Sequence, residues 1–327
     1  MITHFGTTAK GQDIDRITLH AGDLSVTVLT WGAVLQDVRL AGVDHPLTLG
    51  SDHIADYEGE TRYSGSVIGP IVNRISTGRV AIDGMMYELE RNGKGDIHLH
   101  SGSHATHLRA WKISESSHDR VTLTLHLPDG DCGLPGDRHI RVVYTVIAPA
   151  TLTMEITGKT DQPTLMNFAN HAYWNLDGTP TWDGHTLQVA ADRYLPATPD
   201  FTPTGEIADI TDTKLDFRAP RRISPGASDM DENVCLSDGP MPLRDVLWLT
   251  GQTGATMTLA TDQPGLQLFD GRWVVRPGKG AYEGLAFEAQ GWPDAPTHAG
   301  FPSIRVTEDA PYRQFTTYSF ARPAQGA

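Results

Sequence analysis

Short runs of alternating apolar and polar residues, cut repeatedly by glycine and proline, limit what this chain can fold into. Leu24, Val26 and Val28 alternate with Ser25 and Thr27. Val121, Leu123, Leu125 and Leu127 alternate with Thr122, Thr124 and His126, and Leu152, Met154 and Ile156 with Thr153 and Glu155. Side chains of a strand point to opposite faces with period two, so each run predicts a strand with one buried face. Asp83-Gly84, Asp129-Gly130, Asp177-Gly178 and Asp238-Gly239 supply turns. With 33 glycines and 21 prolines, no window of four helical turns survives. The pattern predicts an all-β protein of packed antiparallel sheets.

Length and composition fit one folded unit. The chain has 327 residues, 39% of them hydrophobic and 20% charged, which excludes a disordered chain. All-β folds run well past 200 residues as one domain, and no linker stands out, so residues 1–327 are expected to form a single domain. Residues 193–226, rich in Pro, Thr and Asp, read as a long excursion from the sheets, either lining a site or running over the surface. The tail after Phe320 reads as disordered. Two cysteines, Cys132 and Cys235, make no disulfide framework. No secretory signal and no membrane-spanning apolar stretch is evident, which predicts a cytoplasmic protein. The net charge of −14 repels phosphate backbones and anionic membranes and leaves neutral ligands unaffected.

Two segments carry proton-transfer groups. In NFANHAYWNL (167–176), Phe168, Ala172, Trp174 and Leu176 share one face with Asn170; Asn167, Ala169, His171, Tyr173 and Asn175 share the other. In LAFEAQGWPD (285–294), Leu285, Phe287 and Ala289 oppose Ala286, Glu288, Gln290 and Trp292. These polar faces lack Lys and Arg and hold groups that bond hydroxyls or stack on a ring. A histidine and a glutamate on facing strands suit an acid/base pair acting on a sugar. Asn73-Arg74-Ile75 follows an apolar strand, so the Arg74 charge is expected to be partly buried and paired, with a carboxylate or a ligand. Asp231 lies in an acidic stretch leading into a strand. Gln267 shares a face with Phe269, opposite Leu266 and Leu268. His98, His100, His104 and His107 invite a metal reading, but only Asp96 adds a possible further ligand. The preferred reading is loop histidines for His104 and His107, no metal, and His100 at a strand end donating to a ligand hydroxyl. No nucleophile elbow, P-loop or dinucleotide fingerprint is present.

Several of these segments occur together in one known family. NRI at 73–75, LHSG at 99–102 followed by Trp111, NHAYWNL at 170–176, EAQGWPDAP at 288–296 and PYRQFTTYSF at 311–320 stand in its order and at similar spacing. Together with the opening FGTTAKG and TWGAVLQDV, they make the chain resemble the aldose 1-epimerase (galactose mutarotase) family over almost its whole length. The resemblance implies a large β-sandwich of twisted antiparallel sheets, the galactose mutarotase-like supersandwich, with the sugar in a groove. It implies His171 as catalytic acid, Glu288 as catalytic base, and Asn73, Arg74, His100, Asp231 and Gln267 as substrate-binding residues. It implies a monosaccharide substrate, no cofactor, and a monomer or weak homodimer. Four departures stand out: Pro70, Ser101, the run Glu232-Asn233-Val234, and Pro296-Thr297-His298. Three of them lie beside binding residues in sequence and bear on which sugar is taken. Trp292 is expected beside Glu288, raising its pKa.

Three rival readings are separable. A non-catalytic sugar-binding module would not need a donor and an acceptor flanking one bond. A hexose-6-phosphate 1-epimerase needs a cationic phosphate pocket, for which Arg221-Arg222 is the candidate. A glycoside hydrolase needs two carboxylates, which Asp231 and Glu288 could supply.

Overall fold

The alternating runs become strands at the expected places. In a computed structural model, residues 1–322 are described. Its largest sheet has nine strands, in the spatial order Lys112–Ser116, Arg120–Leu127, Arg138–Ile147, Thr151–Thr160, Tyr312–Ala321, Thr256–Thr261, Arg244–Thr250, Thr186–Val189 and Arg221–Arg222. A six-stranded sheet orders Tyr173–Trp174, Leu285–Gln290, Gly265–Phe269, Asp231–Cys235, Arg193–Tyr194 and Ala208–Asp209. The four strands from Ile2–Thr7 to Leu35–Leu40 form a meander. Every pairing between the described strands is antiparallel. The longest described α-helix is the five-residue Ile54–Glu58.

One apolar core binds the sheets into a sandwich. It takes Leu123, Val142, Met154 and Leu259 from the nine-stranded sheet, Val26 and Val38 from the meander, and Trp174, Leu266, Leu268, Leu285 and Phe287 from the six-stranded sheet. The six-stranded sheet therefore has an inner apolar face. Its outer face carries Asp231, Asn233, Gln267 and Glu288, and all four are buried. Because successive side chains alternate, filling the core with Leu285, Phe287 and Ala289 sends Ala286, Glu288 and Gln290 to the other side.

Two expectations need correction, and a third gains detail. The segment 167–176 is not one strand. Ala169–Asn170 pairs with Val67–Ile68, the chain then switches sheets, and Tyr173–Trp174 pairs with Leu285–Gln290. The backbone exposed at the switch is satisfied locally: Asn170 Oδ1 accepts the Ala172 N–H at 3.1 Å, and Asn170 Nδ2 donates to the Gly65 carbonyl at 2.7 Å. The tail is ordered further than its composition suggests, since Ala321 pairs with Thr256 and Arg322 binds Asp23 at 2.8 Å. The rest of that tail, 323–327, lies outside the described residues. The 193–226 excursion is mostly irregular but firmly anchored, because Leu195, Ile210, Leu215, Phe217 and Ile223 are buried.

Phe287 tests the coupling between core and site, being 1% exposed one residue from Glu288. Phe287→Ala should cost about 3–5 kcal/mol in urea unfolding. A loss below about 1 kcal/mol would mean that the inner face of this strand does not carry the sheet.

Candidate active site

Strand register brings the two proton-transfer groups together. Tyr173 lies opposite Ala286 and Trp174 opposite Leu285. Continuing that register two residues places His171 across from Glu288. Gln267 is opposite Glu288 on the other side, and Asn233 is opposite Gln267. His171 leaves the sheet's own ladder, donating its N–H to the Ser66 carbonyl at 2.9 Å and accepting the Gly65 N–H at 3.0 Å. Its ring stays at the shared position, with Nε2 at 3.4 Å from Glu288 Oε1. Both side chains are buried, and His171 Nδ1 and Glu288 Oε2 have no protein partner.

The pair lies in a cavity of about 260 Å³. That is below the ~300–1,000 Å³ typical of drug-sized ligand pockets, so it suits a single small ring. Asn73, Arg74, His100, His171, Asp231, Gln267 and Glu288 all line it. These seven residues come from stretches far apart in the chain. Gln267 Nε2 donates to Asp231 Oδ1 at 2.8 Å, a diagonal contact across adjacent strands. Arg74 Nη2 stands 3.9 Å from Asp231 Oδ2, beyond hydrogen-bond reach, and its guanidinium lies 5.3 Å from the Phe201 ring centre. The paired-or-ligand alternatives for Arg74 thus merge: it is weakly paired and keeps free donors in the cavity.

Asn73 acts through its backbone. It adopts a left-handed φ of 64°, its carbonyl accepts the His100 N–H at 2.9 Å, and its N–H donates to His100 Nδ1 at 3.1 Å. A nitrogen that accepts cannot carry the proton, so the neutral His100 ring is protonated on Nε2 and can donate there. Burial and the neighbouring His171 and Arg74 hold the His100 pKa well below its ordinary value, which keeps the ring neutral.

Burial also dominates the charge of the central pair. It pushes His171 down to about 4. It pushes Glu288 up to about 8, with Asp231 adding to the shift and Arg74 opposing it. Between those values the pair holds one proton. Desolvation thus favours the neutral form of the pair, with the proton on the carboxyl. The attraction of opposite charges at 3.4 Å favours the other arrangement, the ion pair. The two effects oppose each other, so a change in the site moves the proton between its two positions.

Aromatic rings complete the walls. Tyr63 stacks against His171 at 5.9 Å and lies 4.8 Å from His100 and 5.0 Å from His107. Tyr173, Phe269 and Trp273 also line the cavity, with the Tyr173 ring 5.1 Å from that of His171, and Phe201 packs edge-on against Trp273 at 5.1 Å. Alternation anticipates the faces of Tyr173 and Phe269. Tyr63, Phe201 and Trp273 sit in irregular segments without such a signal. Phe201 does show that the 193–226 excursion reaches the site.

Other expectations fare differently. Trp292 does not flank Glu288; it packs with Leu195, Cys235 and Phe301, and its indole N–H donates to the Pro264 carbonyl at 3.0 Å. His107 is a buried residue, not an exposed loop histidine. The four histidines of 98–107 do not converge: His98 Nδ1 contacts the Glu90 carbonyl at 2.6 Å, while His104 is exposed beside Asp131. Arg221 and Arg222 do not line the cavity, which removes the phosphate pocket considered above. The four departures also lie off its lining. Ser101 Oγ bridges the Ile71 N–H and carbonyl at 2.7 and 3.0 Å, and Glu232 pairs with Lys214 at 2.6 Å.

Comparison with known proteins places the chain in a family. The sequence model of the family described as aldose 1-epimerase matches residues 15–319. The galactose mutarotase of Rattus norvegicus is 28% identical over 337 residues, covering 98% of each chain. The aldose 1-epimerase of Escherichia coli K12 is 29% identical, covering 95% of this chain and 96% of its own. Among solved structures, an aldose epimerase homologue from C. elegans superposes with a TM-score of 0.88 at 28% identity, covering 94% of this chain and 99% of that one. A galactose 1-epimerase from Lactobacillus acidophilus gives 0.84 at 26% identity, covering 99% of both. With most of its length matched by the family's own pattern, the chain belongs to the aldose 1-epimerase family.

Proposed function

We propose that the chain interconverts the α and β anomers of a free monosaccharide, with Glu288 as base and His171 as acid. The observation that carries this is the buried His171–Glu288 pair, 3.4 Å apart in a cavity lined by hydroxyl-bonding groups. Glu288 takes the proton of the anomeric hydroxyl as that oxygen becomes a carbonyl. The bond from the anomeric carbon to the ring oxygen breaks, and the ring oxygen receives the His171 proton. Rotation about the adjacent carbon–carbon bond exposes the other face of the carbonyl. Closure then returns each proton to its donor. The cycle starts and ends with the ion-pair form, which the attraction between the two groups makes accessible.

The surrounding residues orient the ring. Arg74 and His100 Nε2 donate to hydroxyl oxygens, while Asp231 accepts through the oxygen that Gln267 does not occupy. Gln267 bridges Asp231 and the ligand, and Asn73 fixes His100. Tyr173, Phe269 and Trp273 offer apolar surface to the C–H side of the sugar. A single domain, a monomer or weak homodimer, and a cytoplasmic location complete the reading; no helix among the described residues is long and apolar enough to cross a membrane.

Polarimetry of freshly dissolved α-glucose and α-galactose tests the roles. Glu288→Gln and His171→Asn should each slow enzyme-catalysed equilibration by about 10²–10⁴-fold while the protein stays folded. Wild-type rates in either variant would remove that residue from the chemistry. Sugar binding with no rate enhancement in the wild type would favour the non-catalytic module.

The pH dependence follows from the shared proton. Below about 4 both groups are protonated and the base is lost; above about 8 both are deprotonated and the acid is lost. The kcat/KM profile should be a broad bell with limbs near those values. An acid limb near the ordinary histidine value of about 6.5 would contradict a desolvated pair.

A further inference from the structure

A second constellation lies on the solvent face of the nine-stranded sheet, far in sequence from the sugar site. His126 and His139 occupy directly opposed positions on adjacent strands. Their rings stack nearly parallel, with centroids 4.7 Å apart at an interplanar angle of 14°. Both present Nε2 to one carboxylate. His126 Nε2 lies 2.9 and 2.8 Å from the two Asp137 oxygens, and His139 Nε2 lies 3.0 Å from Asp137 Oδ1. One ligand-capable atom from each of the three residues falls within 4.8 Å of the other two.

We propose that His126, Asp137 and His139 bind one divalent transition-metal ion per chain, independently of the sugar site. Two imidazole nitrogens and one carboxylate form a donor set suited to Zn²⁺, Ni²⁺ or Cu²⁺, with the remaining positions open to water or an anion. Metal–ligand bonds of about 2.0–2.2 Å place tetrahedral donor atoms about 3.3 Å apart, so modest ring rotations close the site. Each imidazole must shift its proton to Nδ1 to free Nε2, which costs no net proton for a neutral ring.

The supports are rigid. The strand ladder from Arg120–Thr145 to Leu127–Arg138 holds both histidines. Asp137 is fixed on both sides. Its N–H donates to Asp161 Oδ1 at 2.8 Å, and the fully buried Arg138 guanidinium donates to the carbonyls of Gly136, Pro128, Asp131 and Leu134. The three side chains are about 38–68% exposed, so an ion can enter without any rearrangement of the fold. Lys112, Arg141 and Lys159 line the same depression. Their charges weaken a bare cation's binding and favour an anion at the metal's open position.

Equilibrium dialysis of the untagged, chelator-treated chain against micromolar ZnCl₂ reads the stoichiometry, and visible absorption of added Co²⁺ reads the coordination. The expected result is one Zn²⁺ per wild-type chain and a Co²⁺ spectrum of low coordination number. His126→Asn and His139→Asn should each weaken binding by at least about tenfold, with the fold by circular dichroism and the mutarotation rate unchanged. Equal Zn²⁺ binding in wild type and both variants, or no stoichiometric binding in wild type, would overturn the assignment.

Discussion

The register between Tyr173–Trp174 and Leu285–Gln290 is the constraint on which the site depends. A slip of one residue would turn Glu288 into the core and Phe287 into the cavity. The slip is opposed by the whole inner face, because Trp174, Leu285 and Phe287 belong to one core with the nine-stranded sheet. Each fully buried side chain of this kind contributes about 1.5–3 kcal/mol relative to exposure. Several kilocalories of packing therefore fix the position of a carboxylate that itself gains nothing from burial.

That burial defines the chemistry. Glu288 and His171 are almost fully buried, and one polar atom of each has no protein partner. Desolvation drives both toward neutrality, whereas their proximity favours separated charge. The two tendencies oppose each other, so neither proton arrangement is locked. Asp231 and Arg74 act on this balance in opposite senses, with Asp231 favouring a protonated Glu288 and Arg74 an ionised one. The residues assigned to hold the sugar therefore also tune the proton pair, and occupying the cavity would alter both contributions.

Much of this was legible in the sequence because sheet geometry translates directly into alternation. The core-facing set Phe168, Ala172, Trp174 and Leu176 follows from period two, although the chain changes sheets at His171. Alternation survives the switch because the backbone stays extended on both sides and Asn170 satisfies the gap. Trp292 keeps the face of Glu288 but lies beyond the strand's end at Gln290, over Gly265 and Cys235, too far along to flank the carboxylate. Tyr63 and Trp273 were not legible for a related reason: irregular segments encode position through long-range packing, not local period. The charge state of the pair was equally hidden, since desolvation depends on what surrounds a group in space. A His98–His107 cluster close in sequence failed to gather, while His126, Asp137 and His139 gathered through cross-strand register.

The central claim is that one proton is shared within a desolvated His171–Glu288 pair and, without added sugar, rests mainly on the carboxyl. Infrared difference spectroscopy of wild type against Glu288→Gln at pH 6 tests it most directly. The account predicts a protonated-carboxyl band in the wild type that disappears in the variant and weakens when sugar is added. A carboxylate signal alone from Glu288 at that pH, unchanged by sugar, would contradict it.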